Sequence, residues 1–239
     1  LGRRSSRIEE GAYVVEGATL VAEALAAGAD VESIYTGRDG LGYEGGNVPV
    51  YALAPGVIER VATTEHPQPV LAVVRRQPPP ETLLATARFV VAVDQVADPG
   101  NLGTILRSAE AAGVDAVTVS EGTVDPFNPK VVRAAAGALF RVPVFTAVAP
   151  DYLRRFGLRV VGTSSHHGVA YTEAGFEGRV ALVFGSEAHG LPVDAPVDEW
   201  VRIPHAGRAE SLNVAMAATL LTFEVARRRI GFAPPEEAE

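Results

Sequence analysis

Three stretches of this chain gather the residue types that chemistry needs into short loops. The first is Asp94-Gln95-Val96-Ala97-Asp98-Pro99-Gly100-Asn101-Leu102-Gly103, leading into a helical pattern that carries Arg107 and Glu110. The second is Gly185-Ser186-Glu187-Ala188-His189-Gly190-Leu191, and the third runs from Pro204 through Gly207 to Ser211-Leu212-Asn213. Together they offer amides, hydroxyls and carboxylates beside glycines that let backbone come close to a ligand. None matches the dinucleotide fingerprint or the phosphate loop, which weakens a nicotinamide or nucleoside-triphosphate reading. Gly185-Ser186-Glu187 lacks the nucleophile elbow of a hydrolase. The five histidines show no metal-binding spacing, and there is no cysteine, so no metal is expected. What remains is a compact ligand wrapped by three loops.

Each candidate also has a plainer reading. Asn101 could cap the helix it opens, and Arg107, six residues on, could be solvated. Glu187 could be a loop surface charge. Ser211 could cap the last helix, whereas Asn213 just inside it is a poor helix former and asks for a reason.

The elements that must position these loops are legible. Val180–Phe184 and Trp200–Ile203 are short apolar runs that read as buried strands, each ending in one of the loops. Phe89–Val93, Ala116–Val119, Val142–Val148 and Leu158–Gly162 read as further strands. Helices are expected over Leu102–Ala112, Asn128–Leu139 and Asp151–Phe156, and from Ser211 onward. Strand alternating with helix makes an α/β fold with a parallel sheet covered on both faces. In such sheets ligands sit beyond the carboxyl ends of the strands, where these loops lie.

The first 77 residues read as a smaller α/β unit. It has a helix over Glu16–Gly28, strands at Val31–Tyr35, Val48–Leu53 and Val70–Val74, a glycine-rich loop over Gly37–Asn47, a short helix over Pro55–Thr63 and a break at His66-Pro67-Gln68-Pro69. Pro78-Pro79-Pro80 begins a stiff linker to residue 86, a second domain spans 87–232, and an acidic tail, 233–239, is expected to lack fixed structure. The 239 residues carry a net charge of −8, which on its face opposes a nucleic-acid partner. Against that, Arg3, Arg4 and Arg7 precede any acid, and Lys130, Arg133 and Arg141 occupy an acid-free stretch. No run is long and apolar enough to span a bilayer and nothing resembles a signal peptide, so a cytoplasmic protein is expected.

Taken in order, Asp98-Pro99-Gly100-Asn101-Leu102-Gly103-Thr104-Ile105-Leu106-Arg107, Leu182–Glu187 with Gly190-Leu191, and Ile203-Pro204 through Ser211-Leu212-Asn213-Val214-Ala215 resemble the three signature motifs of the SpoU/TrmH family. These are RNA 2′-O-ribose methyltransferases of the SPOUT superfamily. Val132–Pro143 also resembles a family segment, and the likeness runs from about Phe89 to Arg229. Tyr13–Gly17 with Leu20-Val21 is similar to the opening of the small substrate-binding domain of ribosomal-RNA members. The chain departs from the family at Ala215, where serine or threonine is common, and at Ala135, where serine is frequent.

The resemblance implies S-adenosylmethionine bound in a deep trefoil knot and contacted by Thr163, Gly185, Ile203 and Leu212. It places Asn101, Arg107, Glu187, Ser211 and Asn213 at functional positions. It implies a homodimer with a shared active site, Arg107 facing the partner's cofactor. Ribosomal RNA, most naturally 23S, is the expected substrate, with Arg3, Arg4, Arg7, Arg133 and Arg141 as candidate RNA contacts. An antibiotic-resistance role, a transfer-RNA substrate and a non-catalytic assembly factor are the alternatives.

Overall fold

The computed structural model describes residues 1–37, 43–61, 68–208 and 210–230. The centre of the Gly37–Asn47 loop, the end of the Pro55–Thr63 helix, His66-Pro67 and the acidic tail lie outside the described residues.

The first unit runs α1 (Arg4–Glu10), β1 (Ala12–Glu16), α2 (Ala18–Ala26), β2 (Val31–Thr36), β3 (Val50–Ala52), α3 (Val57–Val61) and β4 (Val70–Arg75). Its sheet has the order β1-β4-β2-β3, with β4 antiparallel to both neighbours and β2 parallel to β3. Sequence reasoning did not anticipate α1 or β1. The helix is seven mostly polar residues with no apolar period, closed by Gly11 in the left-handed region (φ 60°).

After Pro78-Pro79-Pro80 the chain forms α4 (Thr82–Thr86), β5 (Phe89–Val93), α5 (Pro99–Ala111), β6 (Ala116–Val119), α6 (Pro129–Ala135), β7 (Val144–Thr146), β8 (Arg159–Ser164), β9 (Val169–Ala170), β10 (Val180–Phe184), β11 (Glu199–Arg202) and α7 (Val214–Ile230). The seven strands pair throughout in parallel, in the order β7-β6-β5-β10-β8-β11-β9. Two late strands thus lie between earlier ones: β10 between β5 and β8, and β11 between β8 and β9.

Every residue of β5 and β10 is buried, as parallel strands covered on two faces require. Phe89, Val91 and Val93 join one apolar cluster with residues of α5, α6, α7 and the first unit. Val90 and Ala92, pointing the other way, join a second with Leu84 and Leu153. The period-two alternation of side chains accounts for the division.

Two helices differ from expectation. The Asn128–Leu139 pattern breaks after α6, because Ala136 (φ 46°) and Gly137 (φ 92°) turn left-handed before a short 3-10 turn at Ala138–Phe140. The run of alanines hides this stop, since alanine favours helix and only Gly137 signals an end. The Asp151–Phe156 segment is a 3-10 helix over Pro150–Phe156. Where α5 crosses α6 the backbones nearly touch. A Cβ on Gly103 would sit 2.3 Å from the Ala134 Cβ, so no larger residue fits.

Candidate active site

With the first loop beside them after β5, the second and third loops meet residues 163–167 at the carboxyl ends of β8, β10 and β11. They surround a cleft of about 610 Å³, within the range of small-molecule sites. Its walls are residues 163–167 at the end of β8, 184–191 and Val193 at the end of β10, Ile203 and His205 after β11, residues 210–214, and Ala217 and Leu221 of α7.

The β10 loop folds back on itself. The Gly190 N–H donates to the Ser186 carbonyl at 2.9 Å, and the Ser186 N–H to the Gly190 carbonyl at 3.2 Å. Gly185 lies under this closed loop with no space for a side chain. A Cβ there would be 2.2 Å from the Gly190 carbonyl carbon and 2.4 Å from the Leu191 nitrogen. Behind it, the Thr163 hydroxyl donates to the Val183 carbonyl at 2.8 Å, tying β8 to β10.

Glu187 joins the second loop to the first. Its carboxylate accepts the backbone N–H of Ala97 (3.1 Å) and of Asp98 (3.0 Å) and the Asn101 side-chain amide (3.0 Å). Partial burial works to raise the Glu187 pKa. The hydrogen bonds from Asn101, Ala97, Asp98 and its own backbone outweigh this and hold it below the ordinary carboxylate value. Asn101 in turn accepts from the Asn213 side-chain amide at 3.0 Å. The Asn213 Oδ1 accepts the N–H groups of Ala215 (2.9 Å) and Met216 (3.2 Å). One chain of side chains therefore fastens all three loops.

This geometry answers the capping questions. Asp98, not Asn101, caps α5, its carboxylate accepting the Asn101 N–H at 2.8 Å with Pro99 at the first turn. Asn213, not Ser211, caps α7. The poor helix former sits at the boundary, where its amide oxygen satisfies two otherwise orphaned donors.

Thr163, Gly185, Glu187, Ile203, Ser211, Leu212 and Asn213 line the cleft, and Asn101 touches two of them. Arg107 does not line it. That side chain is exposed on α5, with no hydrogen-bonding or ionic partner among the described residues. Sequence reasoning missed the cleft residues Ser164, His166 and His167. Ser164 Oγ accepts the N–H of His166 (3.1 Å) and lies 2.9 Å from His167 Nδ1, and the His167 ring packs on Trp200 at 4.4 Å. Their position directly after a buried strand was the available signal.

The candidate RNA contacts separate. Arg3 and Arg4 are exposed. Arg7 is not a surface residue: it is 2% exposed, with its guanidinium 2.8 Å and 2.7 Å from the Asp125 carboxylate. The expectation that it meets RNA is corrected, because burial against Asp125 takes it out of reach of any ligand. Arg133 and Arg141 are partly exposed and pair with Glu16 (3.6 Å) and Glu23 of the first unit.

The residues present suit S-adenosylmethionine. Backbone at Gly185 approaches without an intervening side chain, Leu191, Ile203, Leu212 and Leu221 offer apolar walls for a flat base, and hydroxyls and imidazoles offer hydrogen bonds for the polar end. Fold and cleft together are those of an S-adenosylmethionine-dependent RNA methyltransferase. The chain belongs to the SpoU rRNA methylase family, which it matches over residues 88–223; residues 1–72 match the MRM3-like substrate binding domain.

Among its relatives is the 23S rRNA (guanosine(2553)-2′-O)-methyltransferase RlmP of Bacillus subtilis, 39% identical over 94% of this chain and 92% of that one. The SpoU methyltransferase AviRb of Streptomyces viridochromogenes, solved with AdoMet, superposes with a TM-score of 0.86 at 29% identity, covering 98% of this chain and 96% of the other. An AdoMet-bound rRNA methyltransferase of Sinorhizobium meliloti gives 0.82 at 31% identity, covering 96% and 92%.

Proposed function

We propose that this protein methylates a ribose 2′-hydroxyl of 23S ribosomal RNA as a cytoplasmic homodimer, each active site completed by Arg107 of the partner subunit. The observation that carries the reading is the separation of Arg107 from its own cleft. An unpaired guanidinium on α5, beside a formed cofactor site it does not enter, suits a role toward a second copy. Met216 (66% exposed) and Leu220 (36%) on α7 supply an apolar stripe for that contact. Helix α5 packs on α7 through Ser108 and Thr219, whose hydroxyls are 2.6 Å apart. The 23S target is supported by the likeness to the B. subtilis enzyme and by the substrate-binding segment. The reading divides the chain into an RNA-binding domain (1–77), a linker (78–86), a catalytic domain (87–232) and a tail (233–239). It includes the trefoil knot, supported by the insertion of β10 and β11 between earlier strands.

Bound S-adenosylmethionine supplies a methyl group already activated by its sulfonium. The protein's task is then orientation and help for a weakly acidic hydroxyl. Thr163, Gly185, Ile203 and Leu212 hold the cofactor. Glu187 and Asn101 keep the loops closed around it, since the Glu187 carboxylate already accepts three donors from the first loop. Ser211 and Asn213 stand at the cleft wall, where they meet the acceptor ribose. Arg107 is too weakly acidic in its protonated form to serve as a base. It grips the neighbouring phosphate and stabilises the oxyanion forming on the ribose, and the proton leaves through phosphate or water.

The test is methyl transfer from labelled S-adenosylmethionine to 23S rRNA lacking 2′-O-methylation, followed by mapping of the labelled nucleotide. One modified ribose in 23S rRNA is expected; label only in transfer RNA, or none, refutes the reading. Arg107→Ala should bind cofactor normally yet turn over about 100- to 1,000-fold slower.

A further inference from the structure

A second cleft, of about 280 Å³, opens along the seam between the two units. Its walls include Tyr13, Arg75, Arg76, Gln77, Phe127 and Arg141. Arg75 is 2.5 Å from Glu32, and Arg141 pairs with Glu23. Asp30, the carboxylate on the wall, accepts from the Gln77 amide at 2.9 Å. Among these cations, only the Arg76 guanidinium has no hydrogen-bonding or acidic partner among the described residues. Its guanidinium lies 4.3 Å from the centroid of the Phe127 ring.

That platform is built rather than incidental. The Arg76 backbone N–H donates to the Gly11 carbonyl at 2.8 Å, fixing the stem. Phe127 packs against Tyr13, ring centroids 5.0 Å apart, and its N–H donates to Asp125 at 3.0 Å. Asp125 is held by the buried Arg7. Thus the arginine once expected to meet RNA supports, through Asp125 and Phe127, a different one. Burial pushes the Tyr13 phenol well above its ordinary pKa, so it stays a neutral donor beside Arg76. A guanidinium held over a ring face leaves its N–H donors for a ligand and loses less freedom on binding than a free side chain.

We propose that Arg76, laid on Phe127 in the cleft between the two units, is a binding site for an RNA phosphodiester. Aromatic rings and guanidinium planes that receive unpaired nucleotides are the usual means of holding single-stranded RNA. The cleft borders β7, three strands from β10 in the sheet, a sideways offset on the order of 15 Å from the β10 strand at ~4.8 Å per strand. It would fix RNA flanking the methylated nucleotide rather than that nucleotide itself. The site rests on the reading of the substrate as RNA.

The test is binding of a labelled, unmethylated 23S rRNA transcript by fluorescence anisotropy over a range of salt concentrations. Arg76→Gln should weaken binding about tenfold. It should also make the slope of log affinity against log salt shallower by about 0.7–0.9, one phosphate's worth, with S-adenosylmethionine affinity unchanged. Arg155→Gln removes the same charge from an exposed guanidinium stacked on Tyr152 outside the cleft, and should change neither quantity comparably. An Arg76→Gln protein with wild-type affinity and slope, even if its melting temperature falls, overturns the site and leaves Arg76 a structural staple. Equal losses from both variants overturn it in favour of net charge. Wild-type protein that shows no salt-dependent binding defeats the RNA reading itself, and this site with it.

Discussion

Gly185→Ala is the smallest change that interrogates the cofactor cleft. The added methyl would lie 2.2 Å from the Gly190 carbonyl carbon and 2.4 Å from both its oxygen and the Leu191 nitrogen. All three are backbone atoms, so no side-chain rotation relieves the clash. Either the loop opens, losing the two Ser186–Gly190 hydrogen bonds at ~0.5–1.5 kcal/mol each, or it stays closed under overpacking strain of ~1–3 kcal/mol. Both routes give about 1–3 kcal/mol against the binding-competent loop. At 1.4 kcal/mol per decade that is roughly 5- to 150-fold weaker cofactor binding. The global melting temperature should fall by about 2–12 °C, at ~2–4 °C per kcal/mol for a chain of this size. Calorimetric titration with S-adenosylmethionine, beside a thermal melt, measures both. Wild-type affinity in a well-folded Gly185→Ala protein would show that the loop does not form the cofactor wall.

Three further outcomes are expected. Glu187 has its folded-state pKa depressed below the ordinary 4.5, so its contribution is fully present above that value and is lost as pH falls through the folded value. Cofactor affinity should therefore be level through neutral pH and fall only in acid, and Glu187→Gln should bind about tenfold more weakly at pH 7. Arg7→Leu leaves Asp125 buried without its cation, a loss of about 3–5 kcal/mol; the melting temperature should drop by ~6–20 °C, and Asp125→Asn in the same protein should recover part of it. Met216→Glu puts charge on the exposed stripe of α7 and should yield a monomer by sedimentation, with cofactor binding retained and methyl transfer lost.

Much of the catalytic unit was legible because local pattern decides it. Apolar runs such as Val180–Phe184 have no plausible place except inside a covered sheet, and polar glycine loops after them belong at its carboxyl edge. Several roles that sequence reasoning missed turn on distant partners. Asn101 and Ser211 looked like caps, but Asp98 and Asn213 do that work, leaving Asn101 to bridge Glu187 and Asn213. Arg7 sits in a run of charged and small residues that reads as surface, and no local pattern says that an aspartate from the other unit receives it in the interior. The strand order was likewise not local, since nothing in Phe89–Val93 says that Val180–Phe184 is its neighbour.

That neighbour relation sets the timing of folding. As the chain is synthesised, β5 has β6 on one flank early, but its other edge waits for β10, which arrives only after β6 through β9. Until then an apolar strand offers open amides and carbonyls to any passing chain, an invitation to mispairing. The nascent protein can dock its first unit and half the sheet, yet it has no means of holding a methyl donor until its last helix emerges. A prematurely terminated chain would be sticky and inert, so assembly of this molecule is slow by topology and rewarded only at the end.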